Sequence, residues 1–198
     1  MKLSKIPFIH VLFLSLLLSS CVKEDAVADI INGGETFTSN SITATIDGEA
    51  FSAAEEDILG EIEASIVTNS VTSTLTMAGL QASFGPGGSR TIVLVLVSDQ
   101  DIFALPLNTT FVYQEDSEGN LILPVASGGL NISYSDEEIE SVDANAEAHS
   151  PIDIVMVFTE LDAENNTISG TFAFTATNPD TGVDYEVTNG VFTEIALD

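Results

Sequence analysis

Carboxylates are the most abundant side chains in this chain that could do chemistry, with 31 Asp and Glu residues against 4 Lys and Arg. Several of them stand beside asparagine in short polar segments between apolar runs. Calcium takes about six to eight oxygen ligands, mainly from carboxylates, amides and carbonyls. The residues of these segments that would serve as calcium ligands are Asp116, Glu118, Asn120, Asp162, Glu164, Asn166 and Asp180.

Two interpretations of these segments stay open. Their spacing does not continue to the glycine and the distal glutamate of an EF-hand loop. Asp and Asn are also common in ordinary turns, because their side chains hydrogen-bond to nearby backbone groups. The sequence therefore offers a calcium site or plain turns here, and it predicts no other cofactor.

Catalytic chemistry has few further candidates. Paired carboxylates hydrolyse glycosidic bonds when they lie about 5–10 Å apart and one pKa is raised. Because this chain has 31 acidic residues, some pair will lie at that distance by chance. Outside the first 20 residues His149 is the only histidine, which leaves little for a Ser–His–Asp triad or a zinc site. The sequence predicts a non-enzymatic protein without catalytic residues. A carboxylate-dependent hydrolase acting on glycans is the alternative.

The only cysteine, Cys21, closes an apolar N-terminal run over residues 6–18 that follows Lys2 and Lys5. A basic start, a short apolar stretch and small residues before a cleavage point are typical of an export signal. The ending LSSC (residues 18–21) resembles the lipobox of bacterial lipoproteins. This resemblance implies a signal peptide over 1–20, cleavage before Cys21, and a lipid anchor on Cys21 that binds the membrane. The alternative is an ordinary secretory signal followed by a chance cysteine.

The segment after the cysteine supplies a second localisation signal. Lys23, Glu24 and Asp25 resemble the surface-export signal of Bacteroidota lipoproteins, which implies an outer-membrane protein exposed on the cell surface. A plain polar tether, with the protein facing the periplasm, is the alternative. Residues 21–40 are small, polar and acidic with two adjacent glycines, a composition that predicts a flexible tether.

The charge balance limits the partners of the mature chain. Once Lys2 and Lys5 leave with the signal peptide, Lys23 and Arg90 are its only Lys or Arg. Nucleic-acid binding depends on Lys and Arg neutralising phosphates, so no nucleic-acid partner is expected. Anionic lipid head groups are repelled as well, which leaves the lipid as the membrane contact. An envelope protein or a glycan is the partner class that stays open.

Period-two alternation dominates beyond Asn40 and predicts strands. Residues 91–97 are apolar on both faces, which predicts a central strand covered on each side or a sandwich-core strand. Residues 110–113 and 121–125 flank the polar residues 115–120, which predicts a hairpin. The acidic composition of residues 136–145 predicts a loop or an exposed helical turn.

The C-terminal third has the clearest pattern. Residues 152–158, 168–176 and 183–187 alternate apolar and polar side chains between turn segments, which predicts an antiparallel meander with one buried face. Many short strands separated by turns favour a sandwich or a barrel. The predicted fold is all-β, an antiparallel β-sandwich or open barrel, as a single domain over 41–198.

Three segments of this domain, ITATIDGEAF (42–51), ISGTFAFTA (168–176) and VTNGVF (187–192), resemble a family of Bacteroidota outer-membrane lipoproteins with a C-terminal domain of unknown function. The resemblance covers about residues 40–197. It implies a β-rich exported domain and brings no catalytic residues. The expected function is a lipid-anchored binding or interaction module of the cell envelope, or an accessory subunit of an outer-membrane assembly.

Overall fold

The computed structural model describes most of the chain beyond the N-terminal segment. The described residues are 39–55, 57, 59–82, 88–136, 139–147, 154–178 and 181–198. Within them the chain forms β-strands and a short 3-10 turn, Ile102–Ala104.

The strands follow one another with short connections. In chain order they are β1 Ser41–Ile46, β2 Glu49–Ala54, β3 Gly60–Thr68, β4 Ser73–Ala82, β5 Ser89–Ser98, β6 Thr110–Val112, β7 Val125–Asp136, β8 Ile139–Glu147, β9 Val155–Asp162, β10 Thr167–Thr177 and β11 Asp184–Ala196.

Two antiparallel sheets pack face to face, so the chain is an all-β sandwich, as predicted. We call the sheet with the order β2-β1-β11-β10-β9-β6 sheet A, and the sheet with the order β3-β4-β5-β7-β8 sheet B. A single pair, Thr177 opposite Glu147, connects β10 to β8 at one corner. Hydrogen bonding is therefore continuous from one sheet into the other.

The core lies between the sheets and is built largely by alternation of inward and outward side chains. In β5, Ile92, Leu94 and Leu96 are fully buried, and in β10, Phe172 and Phe174 point inward. Because successive side chains of a strand point to opposite faces, the residues between them face outward. The inward set predicted for β10 is confirmed, and so is the central place of β5 between β4 and β7. The outer side of β5 is only partly buried, so the strand is not covered equally on each side.

Aromatic rings fill the interior of sheet A. The ring of Phe158 lies 5.8 Å from that of Phe111 and 5.8 Å from that of Phe192. Gly170 and Gly190 have no side chain because a Cβ there would overlap the rings and carbonyls of the neighbouring strands. The glycines of two of the three segments quoted above are therefore packing residues.

The structure corrects two local expectations. Strand β6 pairs with β9 rather than with residues 121–125. The predicted hairpin loop does form, but it is closed by the isolated bridge of Glu115 with Leu121 instead of by two paired strands. The acidic segment predicted as a loop or helical turn contains β8, which pairs with β7. Pairing with β7 outweighs the weak local β-propensity of β8. The partner of β6 is distant enough in the sequence to leave no local signal.

Residues Phe37–Asp198 form one compact unit. Among the described residues, no helix has the length and apolar character needed to cross a bilayer.

Candidate functional site: an uncharged sheet face

The first group of predicted calcium ligands lies between β6 and β7. Asp116 Oδ1 accepts hydrogen bonds from the backbone N–H groups of Glu118 (2.8 Å) and Asn120 (2.9 Å), and Oδ2 accepts one from Asn120 Nδ2 (2.9 Å). These bonds, with the Asn120 side chain contributing most, hold the pKa of Asp116 below its ordinary value. The carboxylate is the acceptor that closes the turn.

The second group lies between β9 and β10, and here too an aspartate side chain closes the turn by accepting hydrogen bonds. Asp162 Oδ1 accepts from the backbone N–H groups of Glu164 (2.9 Å) and Asn165 (3.0 Å), and Asn165 Nδ2 donates to Oδ2 (2.6 Å). The pKa of Asp162 is lowered, chiefly by the Asn165 backbone bond. Asn165 was not among the predicted ligands, whereas Asn166 instead adopts a left-handed φ of 57°.

The fold does not bring these two groups together. Asp162 ends β9, whereas the connection that holds Asp116 follows the pair of Val112 with Val155 at the start of β9. In the part of the chain that the structure describes, no three His, Cys, Asp or Glu side chains are placed to hold a metal ion. Asp180, Cys21, Lys23, Glu24 and Asp25 lie outside the described residues, and the calcium site stays a prediction.

The β6–β7 connection also holds a tyrosine bonded to an acid. The Tyr113 hydroxyl donates to Glu115 Oε1 (2.6 Å). This bond, together with partial burial and the negative charge of Glu115, raises the pKa of Tyr113 to about 12. The phenol therefore stays protonated at neutral pH and serves as a donor within its own connection.

Arg90, the basic residue of the described domain, is already paired with an acid. Arg90, at the start of β5, forms an ion pair with Glu49 of β2 at 2.6 Å. Beyond residue 23 the sequence contains no other Lys or Arg. An exposed pair of this kind contributes little to stability, and it leaves Arg90 paired rather than directed at an outside anion.

A shallow polar cavity of about 210 Å³ lies at one end of sheet B, between the β3–β4 turn and the residues after β5. Its polar groups close their own turns. Asn69 Oδ1 accepts from Val71 N (2.8 Å) and Thr72 N (3.0 Å), and Asp101 Oδ1 accepts from Phe103 N (3.0 Å). The cavity is therefore lined by turn residues that serve the fold.

The outer face of sheet B is the feature that the sequence reasoning missed. The outward-facing side chains that the structure describes on β4, β5 and β7 lack charge, although the chain is rich in acids. We call this surface the valine face, and its residues are Thr74, Thr76, Ala78, Leu80, Thr91, Val93, Val95, Val97, Ser127, Gly129 and Asn131.

The valines of β5 form the centre of this face. Val93, Val95 and Val97 follow one another along the strand, each half-buried between neighbouring strands. Their cross-strand partners stand about 4.8 Å away on each side. Gly129, opposite Val93, faces open space, since nothing lies within 4 Å of the position a Cβ would take. The result is a smooth aliphatic surface rather than a pocket.

Acidic side chains lie at the edge of the valine face. Glu61 and Glu63 on the edge strand β3 are exposed, and they stand opposite Leu80 and Ala78. Being two residues apart on one strand, they point to the same side, about 6.6 Å from each other. Val67, further along β3, is 65% exposed and extends the apolar surface. The face thus has an aliphatic centre and an acidic rim on its β3 side.

Residues 106–196 match the family model of a domain of unknown function, DUF6252. The match begins after the 3-10 turn and covers β6 to β11, so it holds most of sheet A but only β7 and β8 of sheet B. The comparisons with curated proteins and with solved structures gave no match. The folded unit is larger than the matched part, because β1–β5 supply much of the same core.

Proposed function

We propose that this protein is exported, anchored to the outer membrane by a lipid on Cys21 and exposed on the cell surface, where its sandwich works as a non-enzymatic binding module. Binding uses the valine face. Three observations support export and lipid anchoring: the LSSC ending, the Lys23-Glu24-Asp25 segment, and the resemblance to Bacteroidota lipoproteins. The uncharged aliphatic face supports the binding role.

The binding role follows from the contrast between this face and the rest of the chain. Soluble antiparallel sheets commonly bury one face and expose polar side chains on the other. A chain with 31 acidic residues has many charged side chains available for an outward position on β4, β5 or β7. A contiguous apolar surface on a soluble protein commonly marks an interaction site. We therefore assign the valine face to a partner in the envelope.

Modification of Cys21 tests the proposed lipid anchor and localisation. Mass spectrometry of the N-terminal peptide is expected to show acyl chains on Cys21, and Cys21→Ser should be released or left unprocessed. Protease treatment of intact cells should remove the domain if it faces outward, and should spare it if it faces the periplasm. An unmodified thiol on Cys21 in the mature protein would contradict the anchor.

Site-specific photocrosslinking in cells tests the binding role. A benzoylphenylalanine at Val95, in the middle of the valine face, is expected to form discrete adducts. The same residue at Thr171, on the outer face of sheet A, is the matched control because it occupies the equivalent place on a central strand. Adducts from both positions alike, or from neither, would contradict binding through the valine face.

A further inference from the structure

We propose that the partner of the valine face is a polypeptide surface that combines aliphatic side chains with lysine or arginine. This inference rests on the proposed function and adds the chemistry of the partner. Three features carry it: the aliphatic centre along β5, the acidic rim on β3, and the charge of the whole chain.

The aliphatic centre sets the first requirement. Val93, Val95 and Val97 offer methyl groups and no hydrogen-bonding groups, so an occupant gains by covering them with apolar surface. Tryptophan is absent from the chain, and no Phe or Tyr stands among the outward residues of the face. A glycan therefore finds neither an aromatic ring to stack on nor a dense set of polar groups at the centre.

The rim sets the second requirement. Glu61 and Glu63 are both exposed and project to the same side of β3, beside Leu80 and Ala78. A partner that covers Ala78 and Leu80 must bring some group near these two carboxylates. Lysine or arginine gains from that position, whereas Asp or Glu is repelled.

The charge of the chain disfavours a second copy as the occupant. Each chain carries a formal net charge of −27 at pH 7, and two copies packed through the valine face would bring their acidic rims together. Like-charge juxtaposition costs free energy at an interface. A cationic partner instead gains a faster encounter through long-range attraction.

Binding of a defined peptide to the full chain tests the proposal. The probe is an acetylated peptide of alternating valine and lysine, and its control is the same peptide with glutamate in place of lysine. We expect the lysine peptide alone to bind, with amide NMR shifts concentrated on β4, β5 and β7. Binding should weaken as salt is added, because exposed ion pairs are screened.

Substitutions separate this proposal from general attraction between opposite charges. Val95→Lys places a cation in the centre of the face and should weaken binding at least tenfold, whereas Thr171→Lys adds the same charge to sheet A and should change it less than about twofold. The pair Glu61→Gln and Glu63→Gln should weaken binding about threefold to tenfold at low salt, in line with two exposed ion pairs. These glutamine variants keep the test decisive if Val95→Lys fails to fold.

Three results would overturn the proposal. Equal losses from Val95→Lys and Thr171→Lys would show attraction to the whole chain rather than to the face. Equal binding of the glutamate peptide would remove the role of the rim. A concentration-dependent dimer in sedimentation that Val95→Lys abolishes would make a second copy the occupant. If the peptide fails while crosslinking from Val95 succeeds, the binding role stands and only the partner chemistry falls.

Discussion

The outer faces of the two sheets differ although both sheets are antiparallel and central to the fold. On β10, the central strand of sheet A, the outward residues include Thr171, Ala173 and Thr175. On β5, the matching strand of sheet B, they are Val93, Val95 and Val97. Threonine and valine both suit a pleated strand, so strand formation does not explain the difference. Only threonine offers water a hydrogen bond, so the outward side of β5 is the more apolar of the two strands. On sheet A apolar side chains stand beside the threonines instead, since Val157 and Val191 flank Thr171.

The largest expected effect separates the two sides of β5. Leu94→Ala removes a fully buried side chain and should lower the free energy of unfolding by about 2–5 kcal/mol, since it leaves a cavity. Val95→Ala, one residue further along, should cost less than about 1 kcal/mol because that side chain is only half-buried. Urea unfolding of both variants measures the difference. Equal losses would mean that the outer face is covered as firmly as the core.

A pair of adjacent glycines in β7 gives the next effect. A Cβ on Gly128 would press on Ile154 and Phe174 in the core, whereas one on Gly129 meets nothing within 4 Å. Gly128→Ala should therefore cost about 1–3 kcal/mol through overpacking. Gly129→Ala should be neutral or stabilise by up to about 1 kcal/mol, by restricting the unfolded chain. A large loss for Gly129→Ala in thermal unfolding would contradict an open valine face.

Exchanging the two outward residue types sharpens the comparison without disturbing the core. Val95→Thr and Thr171→Val should each change stability by less than about 0.5 kcal/mol, as is usual for surface positions. Binding of the valine–lysine peptide should weaken for Val95→Thr and stay unchanged for Thr171→Val. Isothermal titration with both variants measures this. Weaker binding from Thr171→Val would place the contact on the wrong sheet.

The smallest effect concerns Asp116 and Asp162, the two aspartates that close polar turns. The hydrogen bonds to Asp116 and Asp162 lower the pKa of each carboxyl below its ordinary value of 3.8. A lowered folded-state pKa stabilises the fold above the unfolded value, and this stabilisation is lost as the pH falls through the folded pKa. Unfolding measured between about pH 5 and pH 2 should therefore show a shallower pH dependence for Asp116→Asn combined with Asp162→Asn. NMR titration that finds both carboxyls at or above 3.8 would contradict this prediction.

Much of the fold could be predicted because alternation is a local signal. Ile168, Gly170, Phe172, Phe174 and Ala176 share a face by spacing alone, and all of them are buried. The pairing of β6 with β9 could not be predicted, since nothing within residues 110–113 indicates a partner more than 40 residues away. The β8 strand was missed for a different reason. Its partner β7 directly precedes it in the sequence, but residues 139–147 are mostly acidic and small side chains with weak β-propensity.

The candidate site was less accessible to prediction. The asparagines and aspartates of the two polar turns were identified, but whether each closes a turn or holds an ion depends on where its oxygens point. The valine face was missed because residues 91–97 are apolar on both sides, a pattern that suits a strand covered on both faces as well as one covered on a single face.

The sequence by itself determined the all-β class, the side chains that share a face on strands such as β10, and the large excess of acidic residues. These properties depend on residue type and on a period of two, which any short window contains. The tertiary structure alone decided which strands are neighbours and which outer face stays open with glutamates at its edge. Strand neighbours are set by contacts between distant segments, so the surface that they build together is absent from any single segment.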